Sequence, residues 1–377
     1  MQSFVAEPVD YPQGADELRQ QVRELINTHS HKWSVRERVN CWTNFNPEFS
    51  KLLGAAGLIG MIWPRQYGGH ERSVVERYIV QEELLAAGAP IGAHWIADRQ
   101  SGTLILRYGN DRLRNEWLPR IASGDAFACI GLSEPNAGSD LASVRCSAVR
   151  QGDGWIINGQ KVWTTGAHIA HFMIALIRTE AGSSRHDGLS QFVIPMDAEG
   201  IKVSPITDLS GGQDFNEVFF DNVKVPGYAL LGDEGNGWQQ VTAELAIERA
   251  GPERYLSSYP LLELFIDEAR RNNDLRPLVG RLTAQLWTLR QMSLSVIAKL
   301  ARGEDPGLEA SMVKDLGNKF EQDIPSLIQG VLDVPLTDEH AIGEMLAYLL
   351  QLAPSFSLRG GTREVLRGII ARGLGLR

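Results

Sequence analysis

The sequence predicts an α+β multidomain protein with three zones: an N-terminal helical domain (residues 1–125), a middle β-sandwich or β-barrel domain (126–237) and a C-terminal four-helix bundle (238–377). Apolar residues recur at helical spacing in the first zone. Short segments rich in β-branched and aromatic residues, separated by turn signals, fill the second zone. In the third zone helical patterns return and run longer. The chain of 377 residues is long enough for two or three domains.

In the first zone, ADELRQQVRELINTH places Leu18, Val22, Leu25 and Ile26 on one face of a helix. A second helical run, FSKLLGAAGLIG, is followed by WPRQYGGH, where a proline and two glycines break the pattern. SVVERYIVQEELLAAGAP predicts another helix, which we expect to end near Gly88.

The second zone contains strand-like segments at fairly even spacing, with GDG, NG, DG and EG as turn signals. These segments are AFACIGL, SAVRQGDGWIING, FMIALIRT, QFVIPM, IKVSPI and EVFFDNVKV. In the third zone, PLVGRLTAQLWTLRQMSLSVIAKL has an apolar stripe and further apolar residues on its far side. Because such a helix is usually buried between neighbours, we expect a bundle that also supplies a subunit interface. The stripe consists of Leu278, Leu282, Leu286, Leu289 and Met292.

Composition excludes several classes of protein. The net charge of −9 argues against a nucleic-acid partner. No segment approaches the roughly 18 apolar residues that span a bilayer, and MQSFVAEPVDYPQ does not have the pattern of a secretory signal. Cys41, Cys129 and Cys146 are odd in number and widely spaced, which favours reduced thiols over a disulfide frame or a metal site. We therefore expect a soluble cytoplasmic protein without a metal.

Two segments of the middle zone carry chemistry. In CIGLSEPNAGSDLASV a strand ends at Ser133 and residues 136–140 form a tight polar loop, which could present N–H groups and hydroxyls to an anion or a polar ring edge. An Asx-type turn in a β protein is the alternative. In NGQKVWTTGAHIA, Asn158-Gly159 signals a hairpin turn. Trp163 and Thr165, two residues apart, would share a face that suits an extended aromatic ligand, although a core Trp beside a surface Thr is the alternative.

Taken together, these segments resemble the acyl-CoA dehydrogenase family. Besides LSEPNAGSD and NGQKVWTTGA, the segments LAAGAP, RYGNDRLRNEWLPRIASGD, FNEVFFDNVKVP, GDEGNGW and RGGTREVLRGIIARGLGL follow the family's order nearly from end to end. The resemblance implies the same succession of helical, β and helical domains. It also implies FAD, bound between the β domain and the C-terminal bundle.

The resemblance assigns cofactor contacts by matching position. The flavin ring would contact Leu132 and Ser133 and, on its other side, Trp163 and Thr165. The pyrophosphate or the CoA moiety would lie near Gly138 and Ser139. Thr362 and Glu364 would contact FAD as well, and Thr362 suits the N-cap of the last helix.

The implied reaction is α,β-dehydrogenation of an acyl-CoA thioester: a carboxylate removes the Cα proton while hydride leaves Cβ for flavin N5. Many family members place this carboxylate directly before the terminal Gly-Thr, where this chain has Gly360, whose backbone N–H could still bond the thioester oxygen. A second branch, which includes isovaleryl-type enzymes, carries the carboxylate before an Arg on the first long C-terminal helix. By that match Glu248 is the base and Arg249 its neighbour, with Glu244 one turn earlier. A solvated Glu-Arg pair on a helix surface is the alternative.

A second departure concerns assembly. Many relatives have Arg-x-x-Phe-Gly-x-Pro, whose Arg and Phe reach FAD across a dimer interface. Here Arg271 and Pro277 match, but Asp274-Leu275 replaces Phe-Gly. The chain could therefore be a homo- or hetero-oligomer, a dimer or tetramer, that acts on a bulky acyl-CoA and passes electrons to an electron-transfer flavoprotein. An oxygen-using flavoenzyme (acyl-CoA oxidase or monooxygenase) and a non-catalytic supporting subunit are the alternatives.

Overall fold

The computed structural model describes residues 4, 6–41, 43–183, 185–248, 251–337 and 339–376, with the backbone alone for 244–248. The helices are α1 (Ala15–His29), α2 (Val35–Val39), α3 (Pro47–Ala55), α4 (Val74–Ala86), α5 (Gly92–Ile96), α6 (Gly102–Tyr108), α7 (Asp111–Ala122), α8 (Gly237–Glu248), α9 (Tyr259–Arg271), α10 (Arg276–Ala301), α11 (Gly307–Gln329), α12 (Ala341–Leu352) and α13 (Arg363–Gly373). The strands are β1 (Ala128–Gly131), β2 (Ser147–Gln151), β3 (Gly154–Thr165), β4 (Phe172–Arg178), β5 (Leu189–Pro195), β6 (Ile201–Ile206), β7 (Phe215–Pro226) and β8 (Leu230–Leu231).

The predicted fold class is confirmed: an N-terminal helical domain, a middle sheet domain and a C-terminal helical domain follow one another in a mixed α+β chain. The chain divides into two compact units. The helical unit comprises Met1–Asn44, Arg72–Pro90 and Ala246–Arg377, and the sheet unit comprises Phe45–Glu71 and Ile91–Leu245. The boundaries at 125/126 and 237/238 stay predictions.

Within the helical unit, local sequence signals fix the helix ends. Ser73 and Glu76 form a capping box at the start of α4: the Ser73 hydroxyl accepts from the Glu76 N–H at 3.2 Å, and the Glu76 carboxylate accepts from the Ser73 N–H at 2.8 Å. The helix ends just before Gly88, as predicted. Gly88 has φ 67°, and a Cβ there would lie 2.4 Å from the Arg38 carbonyl oxygen, so only glycine fits.

The predicted apolar stripes of α1 and α10 are buried in part: Leu282 and Leu289 of the α10 stripe are buried, whereas the rest of that stripe and Leu25 of α1 are half-buried. In α1, Leu18, Val22 and Ile26 face the interior. In α10 the second half is buried on several faces, from Ser293 to Ala298, whereas Trp287 in the first half is 60% exposed. Among the described residues, no helix is both long and apolar enough to cross a membrane.

The sheet unit is built on one mixed sheet with strand order β6-β7-β3-β2-β4-β5-β8, and β1 lies parallel to β4. Its core contains Trp155 and Phe192, whose rings meet edge to face at 5.3 Å. The hairpin predicted at Asn158-Gly159 is wrong, because both residues lie inside the continuous strand β3, at a register shift against β7. Gly159 is required there by space: a Cβ would lie 2.8 Å from Cys146.

Candidate active site

The loop that follows β1 is held by a buried carboxylate. Glu134 is 9% exposed and accepts hydrogen bonds from the Arg145 N–H at 2.6 Å and the Cys146 N–H at 2.8 Å. Lys161, fully buried on β3, donates to the same carboxylate at 2.8 Å and to the Leu132 carbonyl oxygen at 3.1 Å. A buried carboxylate with three donors is satisfied, so Glu134 can fix the path of the loop around it.

These bonds bring the two sequence motifs side by side. The Val162 N–H donates to the Ser133 carbonyl oxygen at 2.9 Å, so Leu132 and Ser133 run next to the residues that lead into Trp163. Both Leu132 and Ser133 are partly exposed. The main chain at Leu132 and Ser133 therefore lies beside the part of β3 that carries the exposed Trp163.

Trp163 has an unusual backbone. Its φ is 58°, and it lies at a register shift between β3 and β7 that falls between Lys161 and Thr164. A non-glycine residue in this region costs about 1–2 kcal/mol. Trp163 is 59% exposed. Among the described residues, its one aromatic ring contact is an edge-to-face contact with Phe215, with ring centroids 6.0 Å apart. Thr164 is buried while Thr165 is half-buried, so Trp163 and Thr165 both lie on the less buried side despite the bulge.

Gly138 and Ser139 lie on the exposed side of the loop. A Cβ at Gly138 would meet nothing within 4 Å, and the residue does not have a positive φ. Neither packing nor backbone geometry within this chain therefore requires glycine at this position. The open space above Gly138 leaves room for the close approach of a ligand.

In the helical unit, the segment that contains Gly360 and Gly361 forms a tight turn before α13. Gly360 and Gly361 have φ angles of 63° and 101°. Thr362 is the N-cap of α13, and its hydroxyl accepts from the Val365 N–H at 3.5 Å. Glu364 is on the first turn of α13, where its own backbone N–H and then the Thr362 hydroxyl lower the pKa of its carboxyl.

A largely buried ion pair lies directly beside this turn. The Arg359 guanidinium is 3.4 Å from the carboxylate of Glu321, which is fully buried on α11. Burial lowers the pKa of Arg359 to about 10, and burial raises the pKa of Glu321, although each is opposed by the charge of the other.

Comparisons with known proteins agree with this arrangement. The profile of the acyl-CoA dehydrogenase N-terminal domain matches residues 13–125, and that of the middle domain matches residues 129–223. An acyl-CoA dehydrogenase of Mycobacterium tuberculosis, IpdE1, is 35% identical over 343 residues, which is 87% of this chain and 87% of the relative. This chain belongs to the acyl-CoA dehydrogenase family.

Solved structures of acyl-CoA dehydrogenases match the fold over nearly the whole chain. A protein described as the Tcur3481-Tcur3483 steroid ACAD has 29% identity and a TM-score of 0.87, with 98% of this chain and 99% of that chain covered. The ChsE4-ChsE5 complex from Mycobacterium tuberculosis has 28% identity and a TM-score of 0.84, with 98% and 100% covered. The family consists of flavoproteins that act on acyl-CoA, so this chain is an oxidoreductase of that kind.

Of the remaining predicted site residues, the structure describes the side chain of Arg271 but not those of Glu248 and Arg249. Helix α8 runs to Glu248, but the Glu248 side chain and the whole of Arg249 lie outside the described residues. Arg271, the last residue of α9, is exposed and pairs with Glu268 at 3.0 Å. An exposed pair of this kind contributes about 0–1 kcal/mol, so the charge of Arg271 is largely available to a partner.

The sequence alone did not reveal Glu134 and Lys161, the two residues that hold the loop after β1 in place. The motifs LSEPNAGSD and NGQKVWTTGA contain Glu134 and Lys161, but no local pattern marks either residue as functional. A signal did exist: a lysine inside a strand-like segment predicts either an exposed position or a buried pair. Which of the two applies depends on the distance between residues 134 and 161, which the fold sets.

Proposed function

We propose that this chain is an FAD-dependent acyl-CoA dehydrogenase in which Glu248, not the residue before the terminal Gly-Thr, removes the Cα proton. The observation that carries the proposal is the glycine pair itself. Gly360 occupies the position of the missing carboxylate in a left-handed turn, and α8 runs to a glutamate in the alternative position. A carboxylate in only one of two equivalent positions is what a relocated base requires.

The sheet unit fits an extended aromatic ring with polar edges. Trp163 offers an exposed indole plane, and Leu132 and Ser133 offer a main-chain edge with a hydroxyl. Thr165 would pack beside Trp163, and the open space at Gly138 and Ser139 suits a pyrophosphate or part of CoA. FAD, when bound, supplies the acceptor for the hydride that leaves Cβ. Thr362, Glu364 and Arg271 would add further contacts.

Side chains and main-chain groups of this protein would carry out the remaining steps, which are removal of the Cα proton and stabilisation of the enolate. Glu248 would take the Cα proton, and Arg249 beside it would counter the negative charge of the site. The Gly360 N–H would donate to the thioester oxygen and so stabilise the enolate charge that develops there. A weak carbon acid needs both contributions, since neither the base nor the donor alone lowers the barrier enough.

We infer a bulky or ring-bearing acyl group as the substrate. A similar protein of known structure is described as a steroid ACAD. In addition, the absence of a side chain at Gly360 would leave more space beside a bound thioester. Anaerobic mixing of the purified protein with a panel of acyl-CoAs tests this. We expect flavin bleaching and enoyl-CoA formation to be fastest with ring-bearing acyl groups. Bleaching by straight-chain acyl-CoAs alone would contradict the substrate class, and bleaching by none would contradict the function.

A supporting role in a hetero-oligomer is the second candidate, and the Asp274-Leu275 replacement favours it. Two of the similar structures are pairs of unlike chains. Expressing this chain alone and measuring flavin per protomer separates the two: full occupancy in a homo-oligomer would exclude the supporting role. Reoxidation by electron-transfer flavoprotein, compared with reoxidation by O₂, would identify the electron acceptor.

A further inference from the structure

Helix α11 presents a stripe of polar side chains to the interior of the helical unit. Lys314, Asn318 and Glu321 are all fully buried, and their spacing of four and three residues puts them on one face of the helix. Replacing buried ionic groups by apolar ones of similar volume is often neutral or stabilising. Stability alone therefore does not explain why a lysine and a glutamate occupy this face.

Both ends of the stripe hold the turn that contains the glycine pair. The Lys314 ammonium donates to the Gly361 carbonyl oxygen. Two turns along α11, Glu321 pairs with Arg359, and its other carboxylate oxygen accepts from the Ser257 N–H at 2.7 Å. The residues on either side of Gly360 are thus attached to one rigid helix by charged groups. Hydrogen bonds of this charged kind are roughly twice as strong as neutral ones.

The Lys314 bond fixes the direction of a peptide group. The peptide between Gly361 and Thr362 is trans, as are all those of the described chain, so its N–H points opposite to its carbonyl. Because the carbonyl is directed at Lys314, the Thr362 N–H is directed away from α11. Two consecutive glycines would otherwise leave this backbone free to choose among several conformations.

We propose that Lys314 is a positioning residue: its bond to the Gly361 carbonyl on one side of Gly360, together with the Arg359–Glu321 pair on the other side, holds the main chain of this turn so that the Gly360 N–H can donate to the thioester oxygen. The inference rests on the proposed function, since it concerns the donor that the reaction would use. Because Gly360 has no side chain, the turn can contribute only main-chain groups to the reaction. Such a turn needs its main chain held rigidly, and Lys314 on α11 would do this.

The test compares Lys314→Met with Lys319→Met. Lys319 is on the same helix, but it is exposed and pairs with Asp323 at 2.7 Å, so its loss reports only the removal of a lysine from α11. Hydrogen exchange of a peptide that spans residues 357–364 is measured in each purified protein without substrate. We expect exchange at least about tenfold faster in Lys314→Met and unchanged in Lys319→Met. Equal exchange in the two variants would overturn the proposal.

Kinetics and spectroscopy separate positioning from general stability. With an acyl-CoA that bleaches the wild-type flavin, we expect Lys314→Met to lower kcat by about 10–100-fold while KM changes little, because the lost interaction acts in the transition state. Lys314→Arg, which keeps the charge and a donor, should recover part of the rate. The infrared stretch of a bound thioester carbonyl labelled with carbon-13 should shift towards the unbonded frequency in Lys314→Met. A rise in KM alone, with an unshifted stretch, would overturn the proposal.

Different measurements test the proposed function and the role of Lys314: flavin bleaching tests the first, and hydrogen exchange tests the second. Absence of bleaching in the wild-type protein would remove the proposed function, whereas unchanged exchange in Lys314→Met removes the positioning role whatever the turnover. If Lys314→Met does not fold, Lys314→Gln, which keeps a polar end without the charge, is measured in the same two assays with the same expected direction.

Discussion

Gly360 and Gly361 differ in how strictly each position requires glycine. The φ of 63° at Gly360 lies within the left-handed region that other residues can reach, whereas 101° at Gly361 lies well outside it. The two residues are adjacent and both are half-buried. The difference in φ is therefore the main difference that the structure shows between their backbones.

We expect Gly361→Ala to destabilise the protein more than Gly360→Ala. An alanine in the left-handed region costs about 1 kcal/mol, and one at a φ that only glycine favours costs about 2–3 kcal/mol. Thermal unfolding of both variants with equal flavin content measures the difference. A Gly361→Ala variant as stable as Gly360→Ala would contradict the geometry of the turn.

Stability should also fall in mild acid because of His94. This side chain is buried in the sheet unit with its Nδ1 2.8 Å from the Ser50 hydroxyl, and burial lowers the pKa of His94 to about 4, with Asp98 opposing. The unfolded chain binds the proton near pH 6.5, so up to about 3 kcal/mol of stability present above that pH is lost as the pH falls towards 4.

The corresponding measurement is the change in Tm between about pH 7 and about pH 5, where the two protonation equilibria differ. His94→Gln should show a smaller fall than the wild type, and His31→Gln, at an exposed histidine, should match the wild type. An equal fall in all three proteins would mean that His94 does not carry the proton linkage.

At the scale of elements, the loop after β1 depends on the Lys161–Glu134 pair. Removing one partner of a buried pair leaves an uncompensated charge, and this costs about 3–5 kcal/mol. We therefore expect Lys161→Met to lower the free energy of unfolding by that amount and to weaken flavin binding. Lys224→Met, at an exposed position of β7, should have almost no effect. The double variant Lys161→Met/Glu134→Gln should recover part of the loss, and no recovery would show that the pair is not coupled.

Two helix glycines should respond to alanine in opposite directions. On α11, a Cβ at Gly317 would lie 2.2 Å from the Arg254 carbonyl oxygen, whereas on α10 a Cβ at Gly280 would meet nothing within 4 Å. Gly280→Ala should stabilise the protein by about 0.5–1 kcal/mol through helix propensity. Gly317→Ala should destabilise it, because α11 and the segment before α9 must separate. Chemical denaturation of the two variants measures both signs, and equal signs would contradict the packing.

Element type was predictable where one local rule decides it. The stripe of α1 and the end of α4 at Gly88 follow from periodicity and from glycine. The error at Asn158-Gly159 has a distinct cause, because the same dipeptide serves a hairpin or a bulge. Contact with Cys146, thirteen positions earlier, decides between the two, and no local pattern contains that contact.

At the scale of the whole molecule, the sequence could not reveal how the segments group. Residues 72–90 belong to the helical unit although they lie between two segments of the sheet unit. Recognition of the family supplied most of the candidate site, from Leu132 to Thr362. The supports behind it, Lys161 under the loop and Lys314 behind the glycine pair, come from strands and helices far apart in sequence, so only the fold shows them.

The relocation of the base is the central claim, and anaerobic flavin bleaching by a competent acyl-CoA tests it most directly. Glu248→Gln keeps the shape of the side chain and removes the carboxylate, whereas Glu244→Gln removes a carboxylate one turn earlier on the same helix. A general base contributes about 10²–10⁴-fold, so Glu248→Gln should bleach slower by that factor while Glu244→Gln stays close to the wild type. Bleaching of Glu248→Gln at the wild-type rate would contradict the assignment.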